Sequence, residues 1–325
     1  MTETEKITIG LVVAPGVTER LGESLIQELP DVLSEQYNNK KEWTIDLVTD
    51  PLTGFAESVD EIFKKVADYH DKRQWDYVIS ITDLPMFAEH QVMALDINMY
   101  NGAAIFSYPA FGWRPVKKRF KQAIVSIIQE LHEAENVDRN YDDNNNIETS
   151  VSRQFPLSKI SKTKVYLEET DSYHLRYLSD SRSRGMFRLV SGMTFANNPL
   201  NMMASLSNIV AIAFTTGAFG LVFTTMWQMA NSFSMWRLFG ISIIAIIGML
   251  IWIMMSHNLW ESIKESNNKR ITWLYNATTV MTLVIAIIIY YIILYLLFLI
   301  AELVLLPADF LGQQVSLKAV SYTHL

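Results

Sequence analysis

Residues 7–16 read ITIGLVVAPG, an apolar run that ends at a Pro-Gly pair. Its lack of charge and its β-branched side chains predict a strand buried on both faces, as the strands of parallel sheets are. The Pro-Gly pair indicates a turn into the next element. Because the run is short and follows an acidic start, we do not expect a secretory signal. We therefore interpret it as the first strand of a sheet.

Further strand and helix patterns alternate along the first 135 residues. Four more strand candidates follow: residues 44–49 (TIDLVT), 77–82 (YVISIT), 92–97 (VMALDI) and 103–108 (AAIFSY). Apolar residues recur at helical spacing in three segments between or after them: residues 17–33, 59–66 and 116–131. We expect Pro30 to kink or end the first of these helices. The alternation predicts a doubly wound α/β domain of the Rossmann or flavodoxin type over residues 1–135.

Ligands of doubly wound sheets bind beyond the carboxyl ends of the strands. The residues predicted at these ends form the candidate ligand-binding set: Pro15, Gly16, Thr18, Asp50, Asp83, Pro85, Pro109 and Gly112. The segment Pro15-Gly16-Val17-Thr18 would offer the main-chain N–H groups that follow the proline, together with a helix N-terminus, to an anion. The alternative is an ordinary strand-to-helix turn in which Thr18 caps the helix.

Two aspartates in this set have competing interpretations. Asp50 follows the second strand, where dinucleotide-binding proteins place a ribose-binding acid, but Asp50-Pro51 is also a common way to open a turn. Asp83 lies in the run SITDLP, residues 80–85, and is the strongest single candidate. The alternative for Asp83 is helix capping or turn formation.

Composition and motifs exclude several kinds of chemistry. The chain has no cysteine, and its six histidines form no i, i+4 pair, so no metal site is expected. The glycines do not have the spacing of a dinucleotide fingerprint, no P-loop lysine is present, and no serine lies in a G-x-S-x-G motif. The net charge of −7 argues against nucleic acid as a partner, because that needs a basic face. No catalytic residue is identified.

The segment between the α/β domain and the apolar half of the chain is polar at first. We predict that residues 136–181 form a polar linker and a β-hairpin, with strands at 163–169 and 173–178. Residues 182–203 mix three arginines with Met, Phe and Leu. This pattern predicts an amphipathic helix in the membrane interface, and the alternative is a helix packed on the α/β domain.

Residues 204–306 are almost continuously apolar and predict a transmembrane domain. The three predicted helices cover about 206–228, 237–256 and 277–301. Arginines precede the first helix, and Lys264, Lys269 and Arg270 lie between the second and third. The positive-inside rule therefore predicts a multi-pass cell-membrane protein with a cytoplasmic N-terminal domain and the lipid bilayer as partner. The scarcity of ionisable residues in the helices argues against a transporter.

The last residues depart from this pattern. Residues 320–325, VSYTHL, match the translation of a transposase mosaic end used in sequencing libraries. We therefore expect these six residues to be an adapter artefact. Residues 307–319 would then be the extracytoplasmic start of a truncated region.

Four segments carry a resemblance to a known family: residues 80–85 (SITDLP), 107–112 (SYPAFG), 188–200 (RLVSGMTFANNPL) and 306–311 (LPADFL). Through them the chain resembles a largely uncharacterised, mostly Gram-positive family of bacterial multi-pass membrane proteins with an N-terminal α/β domain. Some members carry the label 5,10-methylene-tetrahydrofolate dehydrogenase, which implies an NADP cofactor.

Two hypotheses for function follow. In the first, the protein is a sensor or accessory protein whose α/β domain binds a small ligand or a partner protein. In the second, which the resemblance implies, it is a membrane-bound NAD(P)-dependent oxidoreductase. The residues themselves contain no dinucleotide fingerprint and no lysine placed as a folate enzyme needs it.

Overall fold

A computed structural model describes residues 5–38, 40–51, 59–113, 116–136, 151, 153–154, 159–166, 173–199, 207–262 and 269–305. The chain divides into two compact units, Met1–Ala196 and Asn197–Leu325. The first unit ends well beyond residue 135, because a hairpin and a helix downstream of the α/β segment are built onto the same sheet.

The first unit is built on one mixed sheet of eight strands. These are β1 (Glu5–Val13), β2 (Lys41–Thr49), β3 (Tyr77–Thr82), β4 (Met86–Ala88), β5 (Gln91–Asn98), β6 (Ala103–Ser107), β7 (Ile160–Tyr166) and β8 (Tyr173–Ser179). Their order is β2-β1-β3-β6-β5-β8-β7, with β4 paired to β5. Strands β2, β1, β3 and β6 are parallel, whereas β5, β8 and β7 are antiparallel. The prediction of a sheet with parallel strands and intervening helices is confirmed.

Helices cover both faces of this sheet. They are α1 (Val17–Gln36), α2 (Val59–Arg73), α3 (Val116–Asn136) and α4 (Arg182–Ala196), and a 3-10 turn spans Tyr108–Phe111. Val12 of β1 packs in one cluster with Ile62 and Phe63 of α2. Its neighbour Val13 points the other way, towards Gly22 of α1. This alternation follows from the two-residue period of a strand and explains why both faces are apolar.

Of the two effects predicted for Pro30, a kink or an end of the first helix, the end does not occur, because α1 continues to Gln36. Proline removes one main-chain hydrogen bond from a helix and so disfavours an interior position. Leu29 and Leu33, on either side of the proline, are both fully buried. The burial of this apolar stripe outweighs the lost hydrogen bond.

The hairpin β7–β8 extends the sheet beyond β5 and is fastened to α3. Lys162 of β7 forms an ion pair with Glu130 of α3, and both side chains are almost completely buried. The hydroxyl of Tyr177 donates to the same Glu130 carboxylate over 2.6 Å. The hairpin starts three residues earlier than predicted. Most of the predicted polar linker, residues 137–150, lies outside the described residues.

In the part of the second unit that the structure describes there are four helices: α5 (Ser207–Val222), α6 (Thr224–Ser232), α7 (Met235–Ser256) and α8 (Lys269–Leu305). In the described part of the chain, two stretches, Met235–Ser256 and Lys269–Leu297, are long and apolar enough to cross a membrane by length and composition. Residues 306–325, which include the predicted truncated region and adapter artefact, lie outside the described residues.

The first predicted membrane span, residues 206–228, differs from the prediction because the helix is interrupted. Phe223 adopts extended backbone angles between α5 and α6, so neither helix alone has the length of a span. Gly217 and Gly220 precede this break, and glycine weakens a helix by about 1 kcal/mol relative to alanine. Apolar composition alone did not reveal the interruption.

Candidate functional site

The parallel strands β2, β1, β3 and β6 all end at one edge of the sheet. The chain leaves β1 towards β2 on one side and leaves β3 towards β5 and β6 on the other, so a switch point lies between β1 and β3. Such points form crevices in which ligands of α/β proteins bind. The predicted set lies at or just beyond these strand ends: Pro15, Gly16 and Thr18 after β1, Asp50 after β2, Asp83 and Pro85 after β3, and Pro109 and Gly112 after β6.

The start of α1 is already occupied by a side chain of the protein. Gly16 has a φ of 93°, and its N–H donates to the Glu19 carboxylate over 3.3 Å. The hydroxyl of Thr49 donates to the other oxygen of Glu19 over 3.0 Å. Glu19 therefore places its own negative charge at the helix N-terminus that we considered for an external anion.

Thr18 is not the cap of this helix, contrary to the alternative interpretation. Gly16 is the N-cap, and Thr18 lies inside the first turn of α1. Its side chain is fully buried, and its hydroxyl donates back to the carbonyl oxygen of Ala14. Thr18 thus closes the turn after β1 and points away from the solvent.

Asp50 is engaged by two side chains of α2. The hydroxyl of Tyr69 donates to Asp50 Oδ2 over 2.7 Å, and Lys65 Nζ lies 3.5 Å from the same oxygen. The hydrogen bond to this carboxylate raises the pKa of Tyr69. Asp50 is only 6% exposed. These contacts make Asp50 a residue that fixes α2 to the end of β2.

Asp83 has a different character, because its carboxylate is partly buried and one of its two oxygens has no partner among the described residues. Its Oδ1 atom is buried and has no hydrogen-bond partner among the described residues. Burial raises the pKa of the Asp83 carboxyl. The hydroxyl of Thr82 accepts from the Leu84 N–H over 3.0 Å, and Ser107 donates to the Leu84 carbonyl over 2.8 Å. The loop that carries Asp83 is therefore held in place from both strands.

A cavity of about 440 Å³ lies beyond the end of β6. Its walls come from the 3-10 turn, the start of α3 and the first three turns of α4. The lining residues are Phe111, Gly112, Trp113, Arg119, Ser183, Arg184, Phe187, Arg188 and Ser191. No acidic side chain is among the described residues that line it. Of the predicted set, only Gly112 lines this arginine cavity.

Close packing between α4 and the 3-10 turn shapes the cavity. A Cβ atom on Gly192 would lie 2.1 Å from the Pro109 carbonyl oxygen, so only glycine permits this approach. Gly112 has a φ of 71°, and a Cβ atom there would lie 3.0 Å from Arg188 Cγ. Pro109 therefore lies directly against α4 at Gly192, and Gly112 lies directly against Arg188.

Two of the arginines are fixed by main-chain carbonyl groups. Arg119 Nη1 donates to the carbonyl oxygens of Phe111 and Trp113 over 2.9 and 3.0 Å. Arg188 Nη2 donates to those of Phe111 and Gln154, each over 3.3 Å. Carbonyl oxygens are neutral acceptors, so these particular hydrogen bonds orient both guanidinium groups and add no negative charge beside them.

Burial makes this charge costly. Desolvation, together with the nearby charge of Arg119, lowers the pKa of Arg188 to about 9. Burial also lowers the pKa of Arg119. Arg184 is exposed at the mouth, and neither Arg119 nor Arg184 forms an ion pair with a described residue. The cavity therefore concentrates positive charge in a partly desolvated space.

The lining favours binding of an anion with an apolar part. Guanidinium groups match the planar geometry of carboxylate and phosphate oxygens and form strong charge-assisted hydrogen bonds with them. Trp113 and Phe187 add aromatic surface next to these groups. No His, Asp or Glu is among the described residues that line the cavity. Among the residues that the structure describes, no cluster of three or more His, Asp or Glu side chains is placed to hold a metal ion.

The sequence contained only a partial signal for this cavity. Arg188 opens the segment 188–200 that carried the family resemblance, and Arg119 belongs to a basic stretch. We had interpreted the arginines of residues 182–188 as flanking a membrane span. In the structure α4 buries Leu189, Val190 and Met193 within the first unit and leaves Phe187 exposed. One face of the helix thus packs on the α/β domain. Its other face is exposed, so the predicted contact of this helix with the membrane stays a prediction.

Comparison of the chain with protein-family models, curated proteins and solved structures finds no match. The candidate site therefore rests on its own geometry.

Proposed function

We propose that this protein is a multi-pass membrane protein whose doubly wound, cytoplasmic α/β domain binds a small anionic ligand in the arginine cavity. In this role it is a sensor or accessory protein. The observation that carries the proposal is the convergence of Arg119 and Arg188 on one carbonyl oxygen, with Arg184 at the mouth and no acidic group among the described lining residues. Buried positive charge without a carboxylate in the wall favours an anion from outside.

The membrane location is supported by the second unit. In the most apolar 18-residue part of each membrane-length stretch, only 17% is buried within Met235–Ser256 and 33% within Lys269–Leu297. Long exposed apolar helices are stable in a lipid bilayer and are a liability in water. The basic residues before α5 and between α7 and α8 support a cytoplasmic α/β domain.

The test is a ligand screen on the full-length chain in detergent micelles, followed by thermal unfolding. The ligands are sulfate, phosphate, phosphorylated metabolites, carboxylates, nucleotides and folates. A ligand at 100 times its dissociation constant adds about 2.7 kcal/mol to the stability of the folded state. We expect anions with an aromatic or apolar part to raise the melting temperature most. If no anion raises it while the protein is folded, the proposal fails.

The second candidate is a membrane-bound NAD(P)-dependent oxidoreductase, as the family resemblance implies. The observation that favours it is the partly buried, uncompensated carboxyl of Asp83 beside the switch point, where dinucleotides bind in doubly wound sheets. Glu19 weighs against it, because a pyrophosphate needs the helix N-terminus that this carboxylate occupies. Titration with NADPH and NADH tests it directly, and a lack of binding at millimolar concentration removes it.

A further inference from the structure

We infer that the arginine cavity receives the phosphate group of an anionic phospholipid, so that the α/β domain docks on the membrane surface through the mouth of this cavity. The inference rests on the proposed function, because it names the chemical class of the anion and its source. It commits to a lipid headgroup, and a soluble phosphorylated ligand is an outcome of the test.

The first observation is an aromatic rim around the cavity. Trp113, Phe187 and Phe195 are 47%, 53% and 40% exposed. The rings of Trp113 and Phe195 meet edge to face with their centroids 6.3 Å apart. Large aromatic side chains that stay exposed as a group mark interaction sites, and Trp and Phe beside basic residues suit the interface between headgroups and acyl chains.

The second observation is the distribution of charge around this rim. Residues 181–206, which include all of α4, contain three arginines and no acidic residue, although the whole chain has a net charge of −7. Arg182 and Arg184 are exposed in the first turn of α4, whereas Arg119 and Arg188 lie deeper. An acidic protein is repelled by an anionic membrane except where such a local basic surface faces it.

The third observation is the geometry of the positive groups relative to the rim. Among the lining residues Trp113, Arg184 and Phe187 are exposed, whereas Arg188 is buried and Arg119 is partly buried. The guanidinium groups of Arg119 and Arg188 are fixed by carbonyl groups. A phospholipid presents its groups in a matching arrangement: a phosphate that accepts from guanidinium forks, and beside it an apolar region that accepts aromatic rings.

The chain length supports a lipid over a soluble ligand. Ten residues link Ala196 at the end of α4 to Ser207 at the start of α5. A linker of this length reaches at most about 36 Å when fully extended. If the apolar helices span the membrane, headgroups are present near the cavity at a high effective concentration, and they outcompete dilute soluble anions of similar affinity.

The experiment uses the full-length chain in nanodiscs that contain phosphatidylcholine with increasing fractions of phosphatidylglycerol. Because the chain has no cysteine, Asn197→Cys provides one labelling position, which is exposed just after α4 and belongs neither to the aromatic rim nor to the cavity lining. A fluorophore at this position is quenched by spin-labelled lipid when the rim enters the interface. We expect quenching to rise with the phosphatidylglycerol fraction and to saturate.

Two arginine variants distinguish specific binding of a headgroup in the cavity from general electrostatic attraction to the membrane. Arg182→Gln and Arg184→Gln each remove one exposed charge from the same turn of α4, but only Arg184 lines the cavity. Each variant weakens the binding of the domain to an anionic membrane surface roughly fivefold, because it removes one basic residue near that surface. We expect Arg184→Gln to need about tenfold more phosphatidylglycerol than Arg182→Gln for half-maximal quenching, because it also loses a charge-assisted hydrogen bond.

The outcomes separate this inference from the proposed function. If glycerol 1-phosphate stabilises the protein in detergent but quenching does not depend on phosphatidylglycerol, the cavity binds a soluble anion and the lipid inference is overturned. If quenching depends on phosphatidylglycerol equally in both arginine variants, docking is general attraction and the inference is also overturned. If neither glycerol 1-phosphate nor phosphatidylglycerol has an effect, the lipid inference is overturned, and the proposed anion binding fails with it only when every other anion of the ligand screen is also without effect.

Discussion

Arg119 and Arg188 donate hydrogen bonds to the same acceptor, the main-chain carbonyl oxygen of Phe111, over 2.9 and 3.3 Å. Their shared acceptor holds two positive charges close together in a partly buried space. The repulsion between them contributes to the lowered pKa of Arg188. An anion bound between them would relieve both this repulsion and the desolvation cost. The cavity is therefore organised before a ligand arrives, which favours affinity.

The first prediction concerns the contribution of each arginine to anion binding. We expect Arg119→Gln and Arg184→Gln to weaken binding of the best anion from the ligand screen by about 10- to 100-fold, because each removes one charge-assisted hydrogen bond of about 1.5–3 kcal/mol. Arg182→Gln is the matched control, since its charge lies on the same helix outside the cavity. Affinity is measured by the ligand-induced rise in melting temperature. Equal losses in all three variants would locate the anion elsewhere.

The second prediction uses the pKa of Arg188, about 9. Sulfate keeps its charge from neutral to alkaline pH, so a change in its affinity reports on the protein. Below pH 8 the guanidinium is protonated and we expect constant affinity. As the pH rises above 9 the cation is lost, and the affinity falls towards tenfold per pH unit. Calorimetric titration from pH 7 to 10.5 measures this profile, and a flat profile to pH 10.5 contradicts the role of Arg188.

The third prediction concerns the buried carboxyl of Asp83. Because its folded-state pKa is raised above the ordinary value of 3.8, the folded state binds the proton more tightly than the unfolded state does. The wild type therefore loses stability as the pH rises through the raised pKa. We expect Asp83→Asn to be more stable than the wild type by about 1 kcal/mol at pH 7.5, with no advantage at pH 3.5 or below.

Thermal unfolding at several pH values tests the Asp83 prediction. Asp31→Asn is the control, because Asp31 is an exposed aspartate of α1 and its substitution has no burial cost to relieve. A destabilised Asp83→Asn protein at pH 7.5 would mean that the charged carboxylate has a stabilising partner in solution.

The fourth prediction tests whether the hairpin β7–β8 is an integral part of the first unit. Removal of one member of a buried ion pair leaves the other charge uncompensated and costs about 3–5 kcal/mol. We expect this loss for Lys162→Met, because it leaves the fully buried Glu130 carboxylate without its ion-pair partner. The double variant Lys162→Met/Glu130→Leu recovers only part of it, because it removes the buried charge but also removes the acceptor of the Tyr177 hydroxyl.

The control for the hairpin is Lys159→Met, which changes an exposed lysine just before β7. Melting temperatures of the four proteins give the comparison. A loss below 1 kcal/mol for Lys162→Met would mean that the hairpin is not docked on α3 in solution.

The main outlines of the α/β unit were predictable because they depend on local pattern. The uncharged runs at residues 7–14 and 77–82 are buried on both faces and became β1 and β3. The persistence of α1 through Pro30 was not predictable, because it depends on tertiary burial of Leu29 and Leu33. Propensity at a single residue is a weak signal when neighbouring apolar residues are fully buried.

The arginine cavity could not be predicted from sequence patterns. Arg119 and Arg188 lie 69 positions apart in the chain, and only the approach of α4 to the 3-10 turn brings them to one carbonyl group. That approach depends on Gly192, whose role is visible only when its distance to Pro109 is known. By contrast, Asp83 was identified from its position after a buried strand, and the structure adds that its Oδ1 atom has no partner among the described residues.

The fifth prediction concerns the number of times that the chain crosses the membrane in the proposed membrane location. With three crossings and a cytoplasmic α/β domain, the loop between α7 and α8 is also cytoplasmic, in agreement with its lysines. If the interrupted segment α5–α6 does not cross, only two crossings remain in the described part, and the α/β domain and this loop lie on opposite sides. The two arrangements place exposed residues differently.

Single-cysteine variants distinguish these arrangements, because the native chain contains no cysteine. Tyr100, Ser232 and Glu261 are exposed and represent the α/β domain, the end of α6 and the loop before α8. We expect a membrane-impermeant maleimide to label Ser232→Cys in intact cells, and to label Tyr100→Cys and Glu261→Cys only after permeabilisation. Labelling of Tyr100→Cys or Glu261→Cys, but not both, in intact cells would show that α5–α6 does not cross. The cavity would keep its proposed membrane surface in either arrangement, but a domain outside the cell would meet the lipids of the other leaflet.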